Sequence, residues 1–125
     1  MRNRLTAAIL LAVAARSSAS AAEPLTGEQL ALAMWVDAAL FAAEKCPRTE
    51  LIKENIRVNL DNAGVTEDQA RGDEWKRAMA FADMHNREGF TDDPHMFCDR
   101  TWKAIGRDNP VAVELPLLKR LDHGT

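Results

Sequence analysis

The chain contains no tyrosine, and its three serines all lie within the first 20 residues. A G-x-S-x-G nucleophile motif is therefore absent, and the remaining hydroxyl groups are threonines that mostly occupy capping positions. There is no C-x-x-C pair, which excludes thioredoxin-like redox chemistry and c-type haem attachment through their usual motifs. The six glycines form no phosphate-binding loop. The sequence thus predicts no catalytic residue and no cofactor, and an enzyme is the less favoured class.

Residues 1–22 have the three parts of a Sec-type signal peptide. Arg2 and Arg4 give a positive start, residues 5–15 are apolar, and residues 19–21 are small enough for signal peptidase. Such a segment directs export, so we expect a mature protein in the periplasm or secreted from the cell.

Cleavage is predicted after Ala21 or Ala22, because small residues occupy the −3 and −1 positions at both sites. A retained membrane span needs about 20 predominantly apolar residues, and Arg16 interrupts the run before that length is reached. We therefore expect no stable membrane span in the mature chain.

The mature chain is acidic. Without the signal peptide the number of lysines and arginines falls from 16 to 13, whereas the 19 acidic residues all remain, so the formal net charge changes from −3 to −6. Nucleic acids and anionic lipids select for clustered lysine and arginine. The composition therefore argues against nucleic acid as a partner.

The two cysteines, Cys46 and Cys98, are best interpreted as one structural disulfide, because an exported protein matures in an oxidising compartment. The 51 residues between them form a long loop, whose closure is expected to contribute about 4 kcal/mol to stability. The alternative, two free thiols that are reactive or bind a metal, is less favoured.

Capping signals divide the mature sequence into helices. The segments TGEQ (26–29) and TEDQ (66–69) are capping boxes, in which the threonine hydroxyl and the glutamine side chain each bond a backbone N–H. Asp93 and Pro94 are typical of a helix start. Predicted helices cover about residues 26–45, 49–62, 66–88 and 93–106.

Glycines mark the helix ends. Gly64 completes a Schellman signature after the second helix. Gly89 is expected to stop the third helix and Gly106 the fourth, and Gly72 is a point where the third helix can kink or split. We predict a small all-α domain of four helices, bundle-like or orthogonal, over residues 23–106, followed by a C-terminal arm over 107–125 that is partly extended or disordered.

The first predicted helix is apolar almost all round, with Asp37 as its only charge between residues 30 and 43. Helical projection puts Val36, Ala39 and Leu40 on the core face and leaves Met34 and Phe41 outside it. Either a second layer of the domain or a partner protein must cover the outer residues. The candidate partner surface comprises Met34, Asp37, Phe41 and, from the arm, Leu117.

Two methionine–histidine neighbours are the candidates for a metal site. Met84-His85 and His95-Met96 combine soft ligands of the kind that copper(I) favours. No pair has the i, i+4 spacing of a helical metal motif. His85 projects with Trp75 and Phe81 onto the apolar face of the third predicted helix. A histidine in such a position is more commonly a core or interface residue with one hydrogen-bond partner.

These observations favour a non-catalytic interaction or chaperone-like module of the periplasm, which binds an unknown protein of the cell envelope through apolar helical surface. The alternative is a periplasmic copper- or zinc-binding protein that uses His85, His95 and neighbouring methionine or aspartate residues.

In size and layout, a secreted helical domain of about a hundred residues with one long-range disulfide is similar to the small acid-stress chaperones of the bacterial periplasm. The resemblance assigns a role to no individual residue. It implies partial opening in acid, which the excess of carboxylates and the histidines favour.

Overall fold

The computed structural model describes residues 22–121, so the predicted signal peptide, apart from residue 22, and the last four residues of the arm lie outside the described part. Within it, the protein is mainly helical. The elements are α1 (Gly27–Lys45), β1 (Thr49–Leu51), α2 (Lys53–Asn62), α3 (Glu67–Ala70), α4 (Asp73–Asp92), α5 (Pro94–Ile105) and β2 (Leu118–Arg120).

The two capping boxes and the Schellman motif form as predicted. Both capping boxes form, with Thr26 accepting from Gln29 and Thr66 accepting from Gln69. Gly64 has a φ of 71°, in the left-handed region. The N–H of Val65 donates to the carbonyl of residue 60, and that of Gly64 to the carbonyl of residue 61, as a Schellman motif requires.

A two-stranded sheet replaces the predicted first turn of the second helix. Thr49–Leu51 is not helical but pairs antiparallel with Leu118–Arg120, so that Thr49 faces Arg120 and Leu51 faces Leu118. Pro47 ends α1 and starts a tight turn, in which Arg48 has a left-handed φ of 51°. The prediction of a purely α-helical domain is therefore wrong at this point. The strand partners are about 70 residues apart, so no local pattern could reveal them.

The third predicted helix is divided by Gly72 into the single turn α3 and the long helix α4, giving five helices among the described residues. Gly89 does not stop α4, which continues to Asp92. A Cβ at residue 89 would lie 3.4 Å from the ring of Phe97. Gly89 therefore lies within α4, at the contact of this helix with Phe97 of α5, and does not terminate it.

α1 is the central element and contacts α2, α4, α5 and β1. It is buried on opposite sides: Ala39 faces one core cluster with Ile105, Leu117 and Leu118, whereas Ala33 faces a second with Trp75. Leu40, predicted to lie in the core, is exposed. The domain itself therefore supplies the second layer over most of this apolar helix.

The C-terminal arm packs against α2 through buried polar contacts. The Nδ2 of Asn59 donates to the carbonyl of Leu115 over 3.1 Å, and its Oδ1 accepts from the N–H of Glu114 over 3.0 Å. The N–H of Leu117 donates to the carbonyl of Ile105 over 2.8 Å. These bonds satisfy the backbone of an extended segment, so Leu117 can be fully buried.

The predicted crosslink is present. Cys46 and Cys98 form a disulfide with their Cα atoms 5.8 Å apart, and no free cysteine remains. It connects the C-terminal end of α1 to the second turn of α5 across a sequence separation of 52 residues. Since the closed loop spans about half of the described residues, it restricts much of the unfolded chain.

Replacing both cysteines, in Cys46→Ala/Cys98→Ala, is expected to lower the free energy of unfolding by about 4 kcal/mol, because the unfolded chain regains the entropy of the open loop. The melting temperature should fall by on the order of 20 °C. Thermal unfolding followed by circular dichroism measures this. A reduced wild-type sample is the control and should match the variant, whereas an unchanged melting temperature in both would contradict the assignment.

Gly106 ends α5 in a space too small for a side chain. A Cβ there would overlap the backbone oxygen of Trp102 and lie 2.5 Å from two carbons of its indole ring. We expect Gly106→Ala to destabilise the domain by about 1–3 kcal/mol, since backbone and indole must move. Urea unfolding measures the loss. Gly27→Ala is the matched control, because its Cβ would meet nothing within 4 Å, and an equal effect of both changes would be inconsistent with the steric cause.

Candidate functional site

The partner surface predicted on α1 is largely covered by the domain itself. Phe41 and Leu117 are buried, and Asp37 is buried beside α4. Met34 alone among these four residues reaches the surface, with 36% of its area exposed. The projection that placed Phe41 outside the core is wrong, because α4 covers that side of α1.

Phe41 is buried in a cluster of three phenylalanine rings. Its ring makes edge contacts with Phe90 at 5.7 Å and with Phe97 at 5.3 Å between centroids, and the latter two rings are 6.0 Å apart. Arg87 lies over the Phe41 ring at 5.6 Å. Such edge-to-face arrangements add to the stabilisation from burial. Phe41 therefore packs α1 against α4 and α5, and its side chain is not free to contact a partner.

Asp37 is a carboxylate held inside the α1–α4 contact. Its Oδ2 accepts a hydrogen bond from Nδ2 of Asn86 over 3.1 Å. Burial raises the pKa of Asp37 above its ordinary value, and the neighbouring Asp83 raises it further, whereas the bond from Asn86 and the charge of Arg87 act in the opposite direction. The ionised form is thus disfavoured in the folded state.

A raised pKa means that ionised Asp37 lowers stability above that pKa, and that this penalty disappears as the pH falls towards 3.8, the ordinary aspartate value. Asp37→Asn removes the charge and keeps an acceptor for Asn86. We expect its melting temperature at pH 7 to equal or exceed that of the wild type by up to about 4 °C, with the difference shrinking near pH 3.5. A marked loss at pH 7 would show that the charge itself stabilises the fold.

A groove with aromatic walls lies on the side of the molecule where α1, α4 and α5 meet. We call it the helical groove; its volume is about 470 Å³. Its apolar lining comes from Trp35 and Ala38 of α1 and from Phe97 of α5. Gly89 of α4 also lines it. Its size and lining are those of a small-molecule or side-chain pocket.

The helical groove continues onto an exposed apolar face of α4. His85 lines the groove and its ring contacts the ring of Phe81, with centroids 4.4 Å apart. Phe81 and Met84 are each 51% exposed, and the His85 side chain is 55% exposed. The sequence prediction placed Phe81 and His85 on the inner face with Trp75. In the structure Trp75 is buried, and these two residues face outward.

The four candidate metal ligands are not gathered in one place. His85 lines the helical groove, whereas His95 lines a different cavity beside the disulfide. Met84 and Met96 are exposed. Within residues 22–121 no group of three or more histidine, cysteine, aspartate or glutamate residues is arranged to hold a metal ion. Of the two interpretations of His85, the core position is wrong, since its side chain is more than half exposed.

No helix between residues 22 and 121 is long and apolar enough to cross a membrane.

The helical groove could not have been found from the sequence, because its walls come from three helices that are far apart along the chain. The i, i+4 spacing of Phe81 and His85 was the only local signal for the adjoining face.

The chain matches no protein-family model, no curated protein and no solved structure.

Proposed function

We propose that the protein is an exported, non-catalytic interaction module that binds an apolar segment of another protein of the cell envelope. The observation that carries the proposal is the helical groove together with two exposed apolar residues of α4, Phe81, whose ring contacts the groove residue His85, and Met84. Small domains normally bury large apolar side chains, and exposed groups next to a concave site are characteristic of protein contacts.

The charges around the groove define the chemistry of the partner. Asp92 and Asp93 stand on its rim, and Glu88 lies 3.9 Å from His85 at the edge of the apolar face. Among residues 22–121, Arg100 is the only arginine or lysine that lines the groove. The predicted mature chain is also acidic overall. A segment with apolar anchors flanked by lysine or arginine therefore fits this surface best.

The proposed compartment follows from the crosslink and from the predicted signal peptide. A disulfide that connects two helix ends is stable in an oxidising environment and rare in a reducing one. Export after cleavage near Ala21 or Ala22 would place the folded module in the periplasm or outside the cell, where its partner must also be. The metal-binding alternative gains no support, because its histidines line separate cavities.

Binding of synthetic 18-residue amphipathic helices tests the proposal. One peptide carries a leucine and phenylalanine stripe flanked by lysines, and a second has glutamates in place of the lysines. We expect the lysine peptide to bind with micromolar affinity, measured by fluorescence anisotropy, and Phe81→Ser to weaken binding about tenfold, since an aromatic anchor contributes roughly 1–2 kcal/mol or more.

Val111→Ser is the matched control, because Val111 is 74% exposed but lies on the C-terminal arm, away from the groove. It should bind the lysine peptide as the wild type does. Equal affinity for both peptides, or equal loss in both variants, would argue against a specific surface. Dimerisation of the free protein that disappears in Phe81→Ser would also contradict the proposal, because a second copy would then be the occupant.

A further inference from the structure

A second cavity, of about 430 Å³, lies beside the disulfide at the opposite end of α1 from its capping box. We call it the disulfide cleft. Its inner surface is apolar and is formed by the Cys46–Cys98 bridge together with Phe90, Trp102 and Leu118. A volume in this range accommodates a small organic molecule.

The rim of the disulfide cleft is basic, in contrast to the rest of the molecule. Lys45, Arg48 and Arg120 all line it, and Asp99 is the only acidic residue that does so. Asp99 pairs with Lys103 over 3.1 Å, and Glu50 of β1 pairs with Lys119 over 3.4 Å. Among residues 22–121, no ion pair includes Lys45, Arg48 or Arg120.

The strand pair holds two of these cations in place. Arg120 faces Thr49 in the β ladder, and the next residue, Leu121, donates its N–H to the carbonyl of Arg48 over 2.9 Å. The guanidinium of Arg120 lies over the Trp102 ring at 4.4 Å from its centroid. Stacking against an aromatic face fixes the guanidinium plane and leaves its N–H groups at the edges for an anion.

Arg48 occupies a conformation that arginine rarely adopts. Its φ of 51° is in the left-handed region, where a residue other than glycine, asparagine or aspartate is disfavoured. Unfavourable conformations of this kind are more frequent at binding sites than elsewhere. The turn thereby keeps a basic residue at the mouth of the cleft, at a position where asparagine or glycine would fit the backbone better.

We infer that the disulfide cleft binds a small organic anion with an aromatic or branched apolar body and one carboxylate group. The apolar body would contact Trp102, Phe90 and Leu118, and the carboxylate would accept hydrogen bonds from Arg48 and Arg120, with Lys45 adding positive charge. Guanidinium groups match a carboxylate in geometry and hold it with two parallel bonds. This site is separate from the helical groove and does not depend on the protein-binding proposal.

The test uses 1-naphthoate and its neutral counterpart 1-naphthalenemethanol as probes of the oxidised protein. Titration is followed in the NMR spectrum through the three tryptophan indole N–H signals, with that of Trp102 assigned from Trp102→Phe. We expect naphthoate to shift the Trp102 signal with a submillimolar dissociation constant, and the alcohol to bind at least tenfold more weakly. Higher salt should weaken naphthoate binding.

Arg48→Asn is the decisive variant, because asparagine tolerates the left-handed backbone and removes only the side chain and its charge. We expect it to weaken naphthoate binding about tenfold while leaving the melting temperature equal or higher. Arg77→Gln removes one exposed positive charge from α4 and should bind as the wild type does, as should Phe81→Ser. Equal binding of the acid and the alcohol, no binding at 10 mM, or an unchanged affinity in Arg48→Asn would overturn the inference.

Discussion

The all-round apolar surface of α1 is the constraint on which the rest of the structure depends. A helix with a single charge along fourteen residues has apolar surface on more than one side, so burial of most of it needs more than one other segment. α4 covers the side of Ala33 and Phe41, and α5 with the C-terminal arm covers the side of Ala39. The C-terminal arm is therefore part of the folded domain, since Leu117 and Leu118 complete the core around the disulfide.

Local structure followed from the sequence because its determinants are local. A capping box or a Schellman motif is formed by residues within one turn of each other, so both could be identified without knowledge of the fold. The long-range contacts of the capping residues could not be identified in this way. The two capping-box glutamines, Gln29 and Gln69, contact each other over 3.2 Å, and Gln29 also donates to the carbonyl of Ala63. This buried pair joins α1 to α3, and nothing in either motif indicates its partner.

Helical projection failed for α1 and for α4 for the same physical reason. It assumes one buried face, but α1 is enclosed from several directions, so Phe41 is buried although it projects away from Ala39. On α4 the apolar stripe is wider than the surface of α1 that it covers. Trp75 and Ala82 lie inside, whereas Phe81 and Met84 extend beyond the contact. The excess apolar width of α4 is what creates the candidate partner surface, and periodicity alone cannot show where that contact ends.

The two cavities arise at junctions between elements and have opposite charge. Asp92 and Asp93 flank the helical groove, whereas Arg48 and Arg120 flank the disulfide cleft. This separation gives a physical basis for two kinds of ligand, a basic protein segment and a small organic anion, on one small domain.

The buried carboxyl group of Asp37 opposes unfolding of the domain in acid. Because burial raises its pKa, protonation of Asp37 favours the folded state, which is opposite to the acid opening implied by a resemblance to acid-stress chaperones. An opening of the domain in acid would therefore have to act against the protonation of Asp37 and not through it.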